Sequence, residues 1–183
     1  TTGQRLSTSN EANHGDIGSN AVDLSNSDSA STTRGATGDY STAMGAGTTA
    51  SGDYSTAMGS FTEASGTAST AMGEETTASG DFSTAMGAGT TASGNASTAM
   101  GYSTEASGYA STAMGESTTA SDFGSTVIGQ YNSSGSTVTN SATVFNAANT
   151  AFVIGNGTGT GEDASDAFKV MFNGDTYVSS SLY

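Results

Sequence analysis

The chain contains few residues that are capable of catalysis. Among its 183 residues it has one histidine, His14, and no cysteine. A lone histidine in a polar segment is typical of a solvated residue, and His14 has no second His or Cys with which to form a metal site. Serine and threonine are abundant, but none has a base near it in the sequence, as an activated nucleophile requires. We therefore expect no catalytic residues and no enzyme activity.

Two C-terminal stretches have the residue types of ligand sites. Glu162, Asp163 and Asp166 form an acidic cluster. Such a cluster is typical of a solvated loop, with a Ca²⁺ site as the alternative because Ca²⁺ prefers oxygen ligands. Residues 155–161 are rich in glycine, but no Gly-Lys-Ser/Thr follows, which argues against a phosphate-binding loop. We therefore expect no cofactor, with bound Ca²⁺ as the minor alternative.

One pair of dipeptides has the composition of a carbohydrate platform. Asp39-Tyr40 and Asp53-Tyr54 are 14 residues apart, and this position varies along the chain. The pair is open to two interpretations: the edge packs between copies of the chain, or the stacked tyrosines and their aspartates form an aromatic platform for a sugar. Replacing both tyrosines with Ala should preserve the assembly and abolish glycan binding if the second interpretation holds.

The composition limits the possible partners. The chain has 26 Gly, no Pro and 33% apolar residues, with 17 acidic residues against three basic ones, a net charge of −14. No basic stripe is available for nucleic acid, and the charge disfavours an anionic membrane surface. No apolar run is long enough to span a bilayer, and no signal peptide is visible. These features favour a soluble extracellular object, on a cell surface or a virion.

The elements that must position these residues are set by a 14-residue repeat. Gly52-Asp53-Tyr54-Ser55-Thr56-Ala57-Met58-Gly59 returns as residues 80–87 with a single Tyr-to-Phe change, and Thr-Thr-Ala-Ser-Gly occurs between the methionines. A fixed period indicates stacked structural repeats. Glycine at two fixed places per unit marks tight turns or close approaches. Each unit is therefore predicted to be one coil of a β-solenoid, with two short strands and two turns.

Alternation along the strands predicts which side chains face the interior of a coil. Thr56 and Met58 share one side of the longer strand, and Thr48 and Ala50 share one side of the shorter strand; we expect all four to point inward. The position of Thr49 is glutamate in other coils, which indicates an outward side. The predicted structural core is the following series: Met44, Met58, Met72, Met86, Met100, Met114 and Ile128.

One large apolar residue per coil makes a thin interior. Ordering 14 residues costs considerable conformational entropy, and one methionine with a few methyl groups offsets it poorly. Association would bury more apolar surface and would place the methionines in a shared core. We therefore predict an obligate oligomer, for which a parallel homotrimer is the simplest closed rod.

The repeated units resemble a known family. Ser-Thr-Ala-Met-Gly and Thr-Thr-Ala-Ser-Gly are similar to the Ser-Val-Ala-Ile-Gly and Ala-Thr-Gly motifs of YadA-like trimeric autotransporter adhesin heads, and residues 125–129, Ser-Thr-Val-Ile-Gly, are closest to that pattern. Met and Thr here replace the family's Ile and Val. The resemblance implies an all-β fold, a left-handed parallel β-roll that forms a homotrimer. Similar repeats occur in phage and viral tail fibres.

The sequence suggests three regions. Residues 1–36 are predicted to form irregular N-terminal coils or a cap, with short strands at 15–18 and 20–24. Residues 37–129 form the β-roll. Residues 130–183 are predicted to form a β-rich trimer cap, with strands at 136–139, 142–145 and 152–154 and a hairpin over 167–178 around Asn173-Gly174. This last segment resembles the part of tail fibres that precedes a self-cleaving chaperone, and an end at residues 181–183 would suit such a cut.

The leading functional prediction is a non-enzymatic trimeric surface fibre that attaches to a glycan or a protein receptor. One alternative is a tail-fibre spacer whose binding is done elsewhere. An ice-binding solenoid is less favoured because the outward row mixes Thr with Glu63 and Glu105 and has no Thr-x-Thr ladder. A glycan-cleaving enzyme would need a carboxylate pair at a groove, and no such pair is evident.

Overall fold

The computed structural model describes residues 3–6, 10–135 and 137–179. The chain divides into two compact units, Thr1–Gly89 and Thr90–Tyr183, called here the first and second units. The expected cut at residues 181–183 lies outside the described residues. The domain boundaries at 36/37 and 129/130 stay predictions.

The first unit is built almost entirely from short strands. They are β1 Gln4–Arg5, β2 Val22–Asn26, β3 Gly35–Ala36, β4 Thr42–Ala46, β5 Thr49–Ala50, β6 Thr56–Ser60, β7 Glu63–Ala64, β8 Thr70–Glu74, β9 Thr77–Ala78 and β10 Thr84–Ala88, with one 3₁₀ turn at Glu11–Asn13. β1 and the five-residue strands stack in parallel in one sheet, and the other two-residue strands stack in parallel in a second sheet.

The second unit continues the same pattern and then departs from it. Its strands are β11 Thr91–Ala92, β12 Thr98–Tyr102, β13 Glu105–Ala106, β14 Thr112–Glu116, β15 Thr119–Ala120, β16 Thr126–Gln130, β17 Thr150–Asn156, β18 Asp166–Met171 and β19 Thr176–Val178, with a 3₁₀ turn at Gly161–Asp163. Strands β12, β14, β16 and β17 are parallel, and β17, β18 and β19 are antiparallel.

The predicted parallel β-solenoid of 14-residue coils is confirmed. In the repeated coils, each strand residue pairs with the residue 14 positions later, as Thr56 does with Thr70 and Met58 with Met72. The β18–β19 hairpin and the strand at β17 are also as predicted. The register is strict because each coil has the same length and the same glycines, so stacking one coil on the next aligns identical residues.

Some predicted strands are absent from the described residues. Residues 15–18, 137–139 and 142–145 are extended or bent but do not join a sheet. In the second unit, side chains replace ladder pairing: Asp122 accepts hydrogen bonds from the amides of Thr139 at 2.6 Å and Thr150 at 2.7 Å. The buried Asn149 accepts from Ser141 N at 2.9 Å and donates to its carbonyl at 2.6 Å. The alternation of apolar and polar residues therefore predicted strands in a segment that is a loop held by side-chain hydrogen bonds.

The interior of each coil is lined by small residues, and here one prediction was wrong. Ala57 and Ser55 are fully buried, whereas Met58 is 39% exposed and Thr56 is half-buried. Thr48 and Ala50 are buried, as predicted. A coil of only 14 residues encloses too little space for a methionine, and alternation then forces Met58 outward once Ala57 points inward. The same pattern recurs through β16.

Two glycine positions per coil permit the close stacking. Gly59 has φ of 128°, and a Cβ there would overlap the carbonyl oxygen of Gly73 in the next coil. Gly52 has an ordinary φ, but a Cβ there would overlap the carbonyl oxygen of Gly66. The first position therefore needs glycine for its backbone conformation and for space, and the second needs it for space alone.

The interior contains rows of buried hydroxyls that have no hydrogen-bond partner among the described residues. They are Thr48, Thr62, Thr76, Thr90, Thr104 and Thr118, with Ser55, Ser69, Ser83, Ser97 and Ser111. At the equivalent position the Ser41 hydroxyl donates to Gly38 O at 2.7 Å. A buried polar group without a partner costs about 1–3 kcal/mol. The hydroxyls therefore make the interior less stable than an apolar one of the same shape.

Replacing Thr76 with Val should stabilise the protein. The substitution keeps the branched shape and removes the buried hydroxyl, so we expect a gain of about 1 kcal/mol in the free energy of unfolding. Thermal and urea unfolding would measure it. Thr77→Val is the matched control, because Thr77 is the next residue and lies on the outward side, so its change should stay within about 0.5 kcal/mol. A loss of stability in Thr76→Val would mean that this hydroxyl is satisfied in the folded protein.

Candidate binding site

An aromatic row lies at the turn that precedes each long strand of the first unit. Tyr40, Tyr54 and Phe82 occupy this position in their coils, with left-handed φ values of 57°, 60° and 58°. Ala68 holds the same position between Tyr54 and Phe82, with φ of 53°. All four side chains are exposed. The turn therefore presents residues of variable size at a constant backbone geometry.

The two tyrosines predicted as a platform do come together. The rings of Tyr40 and Tyr54 stack with centroids 5.1 Å apart and planes within 6° of parallel. This separation is close to the step of about 4.8 Å between neighbouring strands, so the rings follow the coils directly. Because each ring covers one face of the other, a ligand can reach the ring edges, the hydroxyls and the two outer faces.

The aspartates of the predicted platform link successive coils. Asp53 Oδ1 accepts a hydrogen bond from Asp39 N at 3.0 Å, and Asp39 Oδ1 accepts one from Ser19 N at 2.7 Å. Asp81 makes the same bond to Thr67 N at 2.9 Å. Asp39 and Asp53 are also exposed. They therefore hold the turns in register and make the rim of the aromatic row acidic.

The largest regular apolar surface lies on the outer side of the long strands. In the first unit Met44, Met58, Met72 and Met86 align in consecutive strands, with Met44 38% and Met58 39% exposed. In the second unit Met100, Met114, Ile128 and Ile154 align in the same way. A row of threonines runs beside each of these rows. This Thr–Met face has no covering element among the described residues.

His14 is buried, and its predicted solvation was therefore wrong. It is 6% exposed, with Nδ1 3.3 Å from Ser25 Oγ and 3.5 Å from Asp23 Oδ2. Arg5 Nε donates to Asp23 Oδ2 at 2.9 Å. The error arose because a polar sequence around His14 did not indicate that β1 and β2, on either side of it in the chain, fold over the ring. Ser25 Oγ donates a hydrogen bond to Asp23 Oδ1 at 2.5 Å, so the hydroxyl proton lies toward the carboxylate. The His14, Asp23 and Ser25 group is therefore not arranged to activate Ser25 as a nucleophile.

The C-terminal acidic cluster is dispersed. Glu162 and Asp163 are exposed on a 3₁₀ turn, whereas Asp166 accepts hydrogen bonds from Ser133 N, Ser133 Oγ and Ser134 N at 2.8–2.9 Å. Asp166 is thus engaged in fastening a loop. Within the described ranges, no group of three or more His, Cys, Asp and Glu residues is placed to hold a metal ion.

Aromatic contacts that the sequence analysis missed involve the chain's few cations. Lys169 Nζ lies 4.6 Å from the ring centroid of Tyr177, beside an open cavity of about 500 Å³. Arg34 lies 5.9 Å from the ring of Phe61 and donates to Ser27 Oγ at 2.6 Å. The chain has only three basic residues and a net charge of −14. This scarcity could have indicated from the sequence that each basic residue has a defined partner.

A second aromatic group lies in the second unit. Tyr109 and Phe123 stack at 5.4 Å, and Phe145 contacts Phe123 and Phe172 edge-on at 6.4 and 5.2 Å. Phe145 is 58% exposed. Tyr109 and Phe123 lie one 14-residue period apart, as Tyr40 and Tyr54 do, whereas Phe145 and Phe172 come from outside the repeat and have no periodic signal.

Comparison with known proteins identifies the repeat. The family model described as "YadA head domain repeat (2 copies)" matches residues 36–62, 64–90, 78–104, 92–115 and 106–132, which together make up slightly more than half of the chain. No curated protein matches it. No helix in the described part of the chain is both long and apolar enough to cross a membrane. The matched motif, the 14-residue register and the parallel coils agree, and the chain belongs to the YadA head repeat family.

Proposed function

We propose that this chain is a non-enzymatic, extracellular segment of a homotrimeric fibre, made of three left-handed β-rolls, that forms a shaft and attaches to a glycan or protein on a cell surface. The observation that carries the proposal is the Thr–Met face. It is regular, apolar and partly exposed in the single chain, and it repeats at every coil. Membership of the YadA head family supports both the trimer and the adhesive role.

The Thr–Met face is suited to pairing with identical faces. Two further copies supply the same row of residues at the same spacing, so a parallel trimer aligns methionine with methionine along the axis. Each half-exposed methionine that is buried contributes about 1 kcal/mol, and the gain repeats with each coil. The flexible thioether chain also fills irregular gaps between copies well.

The C-terminal region adds a second set of exposed apolar side chains. Val144, Phe145, Tyr177 and Val178 are each more than half exposed. We infer that residues 130–183 form a cap in which these side chains pack between copies. Replacing Val144 and Val178 with Lys tests the cap, because both side chains are exposed in the single chain. The double variant should lower the melting temperature of the trimer, and unchanged melting with an unchanged mass would contradict the inference.

Sedimentation equilibrium or light scattering of the purified chain tests the trimer. The expected mass is three times the chain mass of 17.9 kDa. A folded, heat-resistant species with the mass of one chain would overturn the proposal. Attachment is tested separately, by measuring adhesion of the trimer to cells before and after enzymatic removal of surface glycans. Adhesion that is unaffected by glycan removal would point to a protein receptor.

A further inference from the structure

We infer that Tyr54, Ala68 and Phe82 form a slot that binds one neutral pyranose ring between two aromatic faces. The inference rests on the proposed adhesive function and names the class of ligand and the subsite. The aromatic row is interrupted by one alanine. Tyr40 and Tyr54 occupy neighbouring coils, Ala68 holds the position in the next coil, and Phe82 holds it in the coil after that. These residues share one position in the coil and nearly the same backbone conformation.

The stacked pair shows how aromatic side chains project from this position. Tyr40 and Tyr54 lie face to face at 5.1 Å, one ring per coil. Phe82 has the φ of those tyrosines within a few degrees and lies two coils beyond Tyr54. Two steps of this size separate the planes of Tyr54 and Phe82 by about 10 Å. The alanine between them leaves that space open to solvent, with the Ala68 methyl group as its floor.

The exposures agree with an open slot. Tyr54 is 61% exposed and Phe82 is 67% exposed, both higher than the 54% of Tyr40. What distinguishes Tyr40, Tyr54 and Phe82 from the other exposed aromatic residues is that they share one position in the coil and are therefore aligned. Their position in the turn keeps the rings outside the coil's own core, so folding does not account for their size.

The width of the slot selects the shape of the ligand. A ring between two aromatic faces needs about 4.5 Å or more between centroids on each side, which sums to about 9–10 Å. The slot therefore admits one ring, and a pyranose, unlike a bare aromatic ring, also carries hydroxyls that can donate to the carboxylates beside the slot. A puckered pyranose, which carries apolar C–H groups on its faces, fits the available space.

The charge around the slot selects the ligand further. Asp53 is exposed beside Tyr54, and Asp81 lies beside Phe82, in a chain of net charge −14. Carboxylates accept hydrogen bonds from sugar hydroxyls and repel sugars that carry an acid group. The slot therefore favours a neutral pyranose over glucuronate or another acidic sugar.

The decisive variant fills the slot without removing any contact. In Ala68→Phe, the new ring should stack between Tyr54 and Phe82 as Tyr40 does on Tyr54, so the fold is retained. The matched control is Glu75→Phe. Glu75 lies seven residues later in the chain, at the other turn, with a left-handed φ of 52°, where Phe61 already occupies the equivalent position in the preceding coil. The control adds the same ring outside the slot.

Saturation-transfer NMR with methyl glucoside, methyl galactoside and methyl N-acetylglucosaminide as probes measures binding to the full chain. We expect signals on the ring protons of at least one probe, weaker for methyl glucuronide, and competition with the probe by its longer oligosaccharides. Ala68→Phe should weaken binding by about tenfold or more, and Phe82→Ala by a similar factor, which corresponds to about 1.4 kcal/mol. Glu75→Phe should bind like the natural chain.

Three results would overturn the inference. They are the absence of signal with every neutral probe, unchanged binding in Ala68→Phe, and dissociation of the trimer in Ala68→Phe, which would mean that this edge packs between copies. Mass measurement and cell adhesion of the same variants separate these results from failure of the proposed function. If the trimer forms and adheres equally well with Ala68→Phe, the adhesin proposal stands and the slot does not.

Discussion

Replacing Met72 with Glu is expected to convert the trimer into single chains. Met72 lies in the middle of the Thr–Met face, aligned with Met58 and Met86. In a trimer closed by that face, the variant would bury three carboxylates close to one another. Burying an unpaired charge costs several kcal/mol, and like charges at one level of the axis add repulsion. Sedimentation should show a dissociation constant at least about a thousandfold higher, or about 4 kcal/mol.

The control for Met72→Glu places the same charge on the other sheet. Thr77→Glu changes the outward side of the short strand β9, where the neighbouring strand already carries Glu63. Two glutamates opposite each other cost no more than about 1 kcal/mol, so the trimer should survive. If Met72→Glu keeps the mass and melting temperature of the natural chain, the Thr–Met face is not the interface between copies.

Replacing Gly59 with Ala is expected to produce a large loss of stability. At φ of 128° an alanine is strained, and its Cβ would overlap the carbonyl oxygen of Gly73. Backbone strain of this kind costs about 1–3 kcal/mol, and a forced contact in a packed region costs about 1–3 kcal/mol more. Circular dichroism should show a melting temperature that is lower by about 10 °C or more.

The control for Gly59→Ala is a glycine with a tolerant backbone. Gly89 has φ of 62°, and Glu75 holds the equivalent position with φ of 52°. Gly89→Ala should therefore cost only the ordinary left-handed penalty of about 1–2 kcal/mol, less than the loss in Gly59→Ala. Equal losses in the two variants would show that left-handed geometry alone, and not the close approach of the coils, explains the requirement for glycine.

The two variants report on different levels of organisation. Met72→Glu disturbs the face between copies and leaves the contacts between the coils of one chain in place. Gly59→Ala disturbs the stacking of coils within one chain, and the trimer should be lost with the fold. Comparing far-ultraviolet circular dichroism with mass for both variants therefore tests whether a single chain holds its fold without its partners.

The candidate site was only partly predictable. The 14-residue spacing correctly brought Tyr40 and Tyr54 together, because residues one period apart must stack in a solenoid. The same spacing showed that Ala68 stands between Tyr54 and Phe82 in the row. It did not reveal the distance and angle between the rings or how exposed each side chain is. Those features depend on the direction of side chains on a left-handed backbone, which the residue types do not indicate at Tyr or Ala.

The sequence by itself determined the register of the coils, the positions of the turns and the family, because a fixed period with glycine at fixed places admits one way of stacking. Only the tertiary structure decided which side of each long strand faces inward. Thr56 and Met58 are larger and more apolar than Ser55 and Ala57, yet the narrow coil accepts only the smaller pair. It also decided the burial of His14 and the capping of the loop after β16 by Asp122, since both depend on residues that are distant in the chain and outside the repeat.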